Sequence, residues 1–189
     1  ALLVLLGLIV WGSHTSLVSR FEKVEAAWAN VETEYQSRAD KVQVITKIVR
    51  NAANFEKQTL TDVIEARSKA TSIQIDASDL TPENLAKFEQ AQSQLTGALS
   101  KLMVTVERYP ELRATDAFRD FQAQYEGIEN RIAKARRDFN GATRKYNSKR
   151  KKFPSNIAAM LFGFEEKPYF KANAGTENAP TDIDLGFDE

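Results

Sequence analysis

From Leu17 to Val49 an apolar side chain returns every three or four residues. The series is Leu17, Phe21, Val24, Trp28, Val31, Tyr35, Arg38, Val42, Ile45 and Val49, and Arg38 is its one polar member. Steps that alternate between four and three put all of these on one stripe of an α-helix, with Glu22, Glu25, Glu32, Asp40 and Lys41 off it. A stripe of that length cannot be left in water, so other helices must cover it. No other feature narrows the possible folds as far.

The rest of the chain supplies the covers. Continued past Val49, the seam meets Glu56 and Thr59, and two polar positions in succession predict a turn near "NAANFEK". A shorter helix then uses Leu60, Val63, Ile64 and Ala70. In "DLTPENLAKF", Thr81 can cap a helix, Pro82 suits its first position, and Glu83 favours the first turn. Leu85, Phe88, Gln92, Leu95, Leu99, Leu102, Val106 and Tyr109 form the next seam, which Pro110 stops. Thr115 or Asp116 restarts the chain, and Phe118, Phe121, Tyr125, Ile128, Ile132, Ala135, Phe139, Ala142 and Tyr146 carry a last long seam as far as Pro154. The predicted helices span 13–53, 55–75, 82–109 and 115–153. The fold class is all-α: an N-terminal transmembrane helix continuing into an antiparallel, coiled-coil-like four-helix bundle. The first and last helices, each about 60 Å long, outrun a second helix of about 30 Å and extend beyond the middle two as a pair.

Residues 1–12, "ALLVLLGLIVWG", carry no charge. They span about 18 Å as helix, against a hydrocarbon core of about 30 Å. They are expected to be part of a transmembrane anchor, built on Leu2, Leu3, Leu5, Leu6 and Ile9, with Trp11 at the interface. Four antiparallel helices would return Pro154 to the anchor's side. The apolar segment 154–170 would then sit near the lipid, with Met160, Leu161, Phe162, Phe164, Tyr169 and Phe170 behind Lys149, Arg150, Lys151 and Lys152. Anionic head groups attract such cations by about 1 kcal/mol each. Three covers stay open for this segment: the bundle end itself, lipid, or a second subunit. Residues 171–189 form an acidic tail after Lys171, low in hydrophobic residues. Leu185 and Phe187 are its candidate anchors, and a neighbouring copy's basic helix end is a candidate partner.

Five stretches carry a family resemblance: "SLVSRFEKVEAAWANVETEYQSRAD", "EARSKATSIQIDASDLTPENL", "VERYPELRA", "YEGIENRIAKARRDFN" and "FGFEEKPYF…NAGTENAP". In order, over about residues 16–180, the chain resembles the LemA family of bacterial membrane proteins. The resemblance implies one amino-terminal transmembrane helix followed by a helical bundle, and it brings no catalytic residues. One departure is "KVQVITKIV", where family members often have a proline-containing run, so the first helix should be straighter here.

Chemistry has little to build on. There is no cysteine, the one histidine is His14, and no Gly-rich phosphate loop is present. The chain is therefore expected to be no enzyme and to need no metal or cofactor. With 26 basic and 26 acidic residues, nucleic acid is not an expected partner. Arg38, Arg67, Glu107, Glu126, Glu129 and Arg131 are expected to form inter-helix ion pairs that fix register. The function that fits is a non-catalytic, membrane-anchored scaffold that self-associates through its bundle and C-terminal segment. The alternative is an adaptor or sensor for another envelope protein, a protease or signalling component. The cations near the anchor tilt the topology towards a single-pass protein of the bacterial cell membrane with a cytoplasmic bundle.

Overall fold

The structure is a computed structural model that describes residues 2–52 and 55–171. Beyond Lys171, the expected acidic tail with Leu185 and Phe187 lies outside the described residues. The elements are α1 (Leu2–Arg50), α2 (Lys57–Ser72), a 3₁₀ turn (Ala77–Asp79), α3 (Pro82–Val106), α4 (Pro110–Arg113), α5 (Asp116–Lys151) and α6 (Ser155–Leu161). Among the described residues every regular element is helical.

Local signals account for most boundaries. Thr81 Oγ1 accepts from the Asn84 amide at 3.2 Å and starts α3, with Pro82 in its first turn. Thr115 does the same for α5 through the Phe118 amide at 3.3 Å. Other boundaries differ from expectation. α1 runs through residue 13 without a break, so the backbone marks no division between anchor and bundle. α2 stops at Ser72, because the Trp28 indole N–H donates to the Ile75 carbonyl at 2.8 Å and holds that stretch extended. α3 ends at Val106, and Arg108 and Tyr109 close onto Thr105 and Val106 in tighter turns ahead of Pro110. α5 ends at Lys151.

No helix among the described residues is long and apolar enough to cross a membrane. The apolar run of α1 ends at Trp11, and polar residues follow from Ser13. The expected anchor, of which residues 1–12 would be only a part, is therefore not shown as a membrane span among the described residues.

α1 and α5 lie antiparallel along their lengths. Arg20 reaches the Lys145 carbonyl at one end, and Arg131 meets Glu34 at 2.9 Å further along. α2 and α3 pair across Lys101–Asp62 at 2.7 Å. Two apolar clusters result. The far one holds Val42, Ile45, Val49, Val63, Leu95, Leu99, Leu102 and Phe118 from all four long helices. The near one holds Leu17, Val24, Trp28, Val31, Phe88, Ile132, Phe139 and Tyr146, and α2 gives it nothing. At about 1.5 Å per residue, the 16 residues of α2 span about 24 Å and cannot reach it.

The connection after α2 fills part of the vacancy with Ile75, Ala77 and Leu80, and the other end of the chain fills the rest. After α6 the backbone turns back and runs extended over residues 164–170 between α1 and α5. Phe170 enters the near core, where its ring stacks on Trp28 at 6.0 Å and meets Phe139 edge-on at 5.4 Å. The Arg136 guanidinium lies 4.7 Å over its other face. Only 4% of Phe170 is exposed, so the expectation of a lipid or subunit contact there gives way to a core position. Phe170→Ala is expected to cost about 3–5 kcal/mol in urea unfolding and to make 154–171 protease-sensitive. Met160→Ala, at an exposed site, should shift stability by less than about 0.5 kcal/mol.

Candidate functional site

Two asparagines on α5 hold the returning strap. The Asn147 side chain accepts from the Lys167 amide at 3.0 Å and donates to the Lys167 carbonyl at 2.8 Å. Asn140 treats Phe170 in the same way, at 2.9 Å for both bonds. The two are seven apart, two turns along one face of α5, so their amides replace the strand that the strap lacks. Tyr146 Oη donates to the Glu165 carbonyl at 2.9 Å, Arg150 Nε to the Phe164 carbonyl at 2.7 Å, and Arg136 to the Lys171 carbonyl at 2.9 Å. Lys167 is buried, with its ammonium donating to the Ser78 carbonyl at 2.8 Å and lying over the Phe21 ring. Burial lowers its pKa against the pull of Glu165, Asp79 and Glu25. The Tyr146 phenol is pushed up to about 12, chiefly by burial. Neither asparagine stood out in the sequence, where both sit one residue beyond the seam positions Phe139 and Tyr146.

α6 closes the near pole beside His14, whose ring lies 4.5 Å from Phe162 and 5.5 Å from Phe164. His14 also stacks on Trp11 at 6.2 Å. Gly163, at φ 70°, lets the Phe164 amide reach back to the Ala159 carbonyl at 2.9 Å and end α6. Phe164 is half-buried, while Met160, Leu161, Phe162 and Tyr169 keep large exposed surfaces. Lys151 and Lys152 are exposed, and Lys149 and Arg150 half-buried; Lys151 and Arg150 both lie beside Glu166. Of the anchor residues whose side chains are described, Leu5, Ile9 and Trp11 are exposed.

The second polar feature is midway along the bundle, where the two clusters meet. The Arg38 guanidinium, 2% exposed, donates to Thr96 Oγ1 at 2.9 Å, to the Gln92 side chain and carbonyl, and to Glu129 Oε1 at 3.3 Å. Tyr35 lies beneath it at 4.9 Å. Burial, reinforced by Glu129, raises the Tyr125 phenol well above its ordinary value. Of the residues expected in ion pairs, Arg38 and Glu129 meet each other, and Arg131 meets Glu34. Arg67 donates instead to the Ala39 carbonyl at 2.7 Å, because α2 packs its last turns directly on the α1 backbone. Glu107 and Glu126 are exposed and have no ion pair among the described residues.

A cleft of about 920 Å³ opens between α1 and the connection 73–77, with Trp28, Ile75 and Phe88 in its wall and Glu25, Glu32 and Asp76 at its edge. Burial raises the Glu32 pKa; a hydrogen bond with Trp28 opposes that, and Asp76 adds to it. No group of residues able to hold a metal ion occurs among the described residues.

A family model described as the LemA family matches residues 27–184. The chain belongs to the LemA family. Magnetosome protein MamQ 2 of Paramagnetospirillum magneticum is 26% identical over 180 residues, covering 84% of this chain and 64% of the relative. Magnetosome protein MamQ of Magnetospirillum gryphiswaldense is 26% identical over 179 residues, covering 83% and 64%. Protein LemA of Metamycoplasma hominis is 26% identical over 140 residues, covering 74% and 60%. The LemA-family chain thus spans less than two thirds of the length of these relatives.

Removing the Arg38 side chain strands Gln92 and Glu129, so Arg38→Ala is expected to cost about 3–5 kcal/mol in denaturant unfolding. Glu129→Gln should cost about 1 kcal/mol or less, because the Glu129 side chain is 36% exposed. A raised Glu32 pKa means that the fold disfavours the carboxylate, a cost present above the folded-state value and relieved as pH falls through it. Glu32→Gln should therefore raise Tm at neutral pH, and thermal scans should show the gain vanish once pH is below the carboxylate range.

Proposed function

We propose that this chain is a non-catalytic, membrane-anchored helical scaffold. The observation that carries the reading is α1 itself. One uninterrupted helix passes from the bundle core at Leu17 to a stretch where Val4, Leu5, Leu8, Ile9 and Trp11 are exposed, so the bundle and its apolar end share one continuous helix. Water does not favour such a stretch, and a bilayer does. We place Trp11 at the interface and propose a single crossing, with the bundle on the cytoplasmic side of a bacterial cell membrane. Three of the matched relatives are named as magnetosome proteins, and none of the matched names states a reaction, which favours a structural role.

Self-association belongs to the same proposal, with a narrower basis than the seams first offered. The seam residues are consumed within one chain, and contacts between copies are left to side-surface residues such as Val44, Ile64 and Val104. The adaptor reading has one observation in its favour. The cleft beside Trp28 has an aromatic wall and an acidic edge, which fit a basic segment of another envelope protein.

Leu5→Asp combined with Leu8→Asp is the direct test, since each buried aspartate opposes insertion by about 2.5–3.5 kcal/mol at most. The unaltered chain should stay with membranes through alkaline extraction, and the double variant should move to the supernatant with unchanged helix content. Equal retention of both would reject the anchor. Native mass measurement in detergent showing only monomers would reject self-association.

A further inference from the structure

α6 is built the wrong way round for a helix that serves only its own bundle. The side chains it buries are small: Ser155, Ala158 and Ala159. Those it turns outward are large and apolar: Met160 is 78% exposed, Leu161 62% and Ile157 37%, with Phe153 and Phe162 beside them at 79% and 51%. An amphipathic helix docked on a core normally does the reverse. The intramolecular contacts hold α6 in place and leave its apolar face for something else.

We infer that this face lies in the head-group layer of the membrane that α1 enters, with anionic lipid as its partner. The inference rests on the anchoring reading above and deepens it. Position is the first argument. Phe162 touches His14, and His14 stacks on Trp11, so the outer face of α6 is next to the point where α1 bares its apolar side chains. The two exposed apolar surfaces are neighbours at one pole of the bundle. Charge is the second. From Arg144 to Lys152 there is no acidic residue, and Arg144, Lys145, Lys151 and Lys152 are exposed on the end of α5 that leads into α6. Cations behind an apolar face are the composition of an element that rests on an anionic surface. Shape is the third. A depression of about 470 Å³ between the end of α5 and α6 is lined by Arg150, Lys151, Asn156, Met160, Phe164 and Glu165, which sets two cations and one carboxylate against apolar walls, a net positive lining that suits a lipid head and upper chain. Glu166, against Arg150 and Lys151, offsets part of that charge and leaves Arg144, Lys145, Lys149 and Lys152 as the cations of this cluster without an acidic partner among the described residues.

The bilayer thus holds the bundle at two points, α1 by insertion and α6 by lying flat. Two points restrict the tilt of the bundle more than insertion of α1 alone would.

The test uses the full chain in vesicles, with Trp11→Phe to silence the anchor and Phe162→Trp as reporter, the emission of the buried Trp28 being subtracted with the Trp11→Phe chain alone; Met160→Trp serves as a second reporter should Phe162→Trp disturb the His14 contact. Flotation is scored first, then quenching by lipids brominated along their acyl chains. In phosphatidylcholine–phosphatidylglycerol vesicles the reporter emission should fall about twofold. Lys149→Glu with Lys152→Glu should remove most of that loss while the protein still floats. Flotation without quenching of either reporter overturns the inference and leaves the anchor standing. Emission that ignores brominated lipid but changes with protein-to-lipid ratio assigns the face to a second copy and also overturns it. Failure to float overturns the anchoring reading and this inference together.

Discussion

The pairing of α1 with α5 outruns the helices available to cover it, and the rest of the molecule is arranged around that mismatch. Where α2 and α3 are present, four helices bury a continuous apolar core from Val42 to Phe118. Where α2 has ended, Trp28, Phe88 and Phe139 would be open on one side, and Phe170 closes the gap. The strap that carries Phe170 has no neighbouring strand for its backbone. Asn140 and Asn147 therefore meet its amides and carbonyls one residue at a time, a role a helix can perform because seven residues return a side chain to nearly the same face.

The polar layer at Arg38 sits at the change from one cluster to the other. A guanidinium with five donors needs several acceptors when buried, and Gln92, Thr96 and Glu129 supply them from two different helices. Such a layer adds little net stability compared with an apolar one. What it does provide is register, since sliding α3 or α5 by one turn against α1 would leave a buried cation without partners. The same economy of chemistry runs through the chain: its buried polar groups are spent on backbone and helix alignment, at Trp28 with Ile75, at Arg67 with Ala39 and at Lys167 with Ser78.

This division of labour frees the near pole for contact with its surroundings. α6 gives the near core only the small side chains Ala158 and Ala159 and keeps its large apolar ones outward, while the strap beyond it supplies Phe170. The basic end of α5 leads directly into that outward face, so the positions of charge and of apolar surface are set by a single turn at Phe153 and Pro154.

The sequence by itself determined the helices and their seams. Periods of three and four are local, and Leu17 through Val49 or Leu85 through Val106 can be read without knowing what lies opposite; Thr81 and Thr115 mark helix starts for the same reason. Arg38 was legible as an ion-pair candidate because a cation inside an apolar seam needs a partner, and the family was legible in its motifs. Only the tertiary structure decided what each seam faces. Phe170 and Met160 belong to one short aromatic segment and look alike in sequence, yet one is core and the other surface, because the length of α2, far away in the chain, sets where the vacancy falls. Asn140 and Asn147 gain their meaning from a backbone that arrives twenty or more residues later. Burial and hydrogen bonding between distant segments depend on how lengths add up in three dimensions, and no local pattern records that sum.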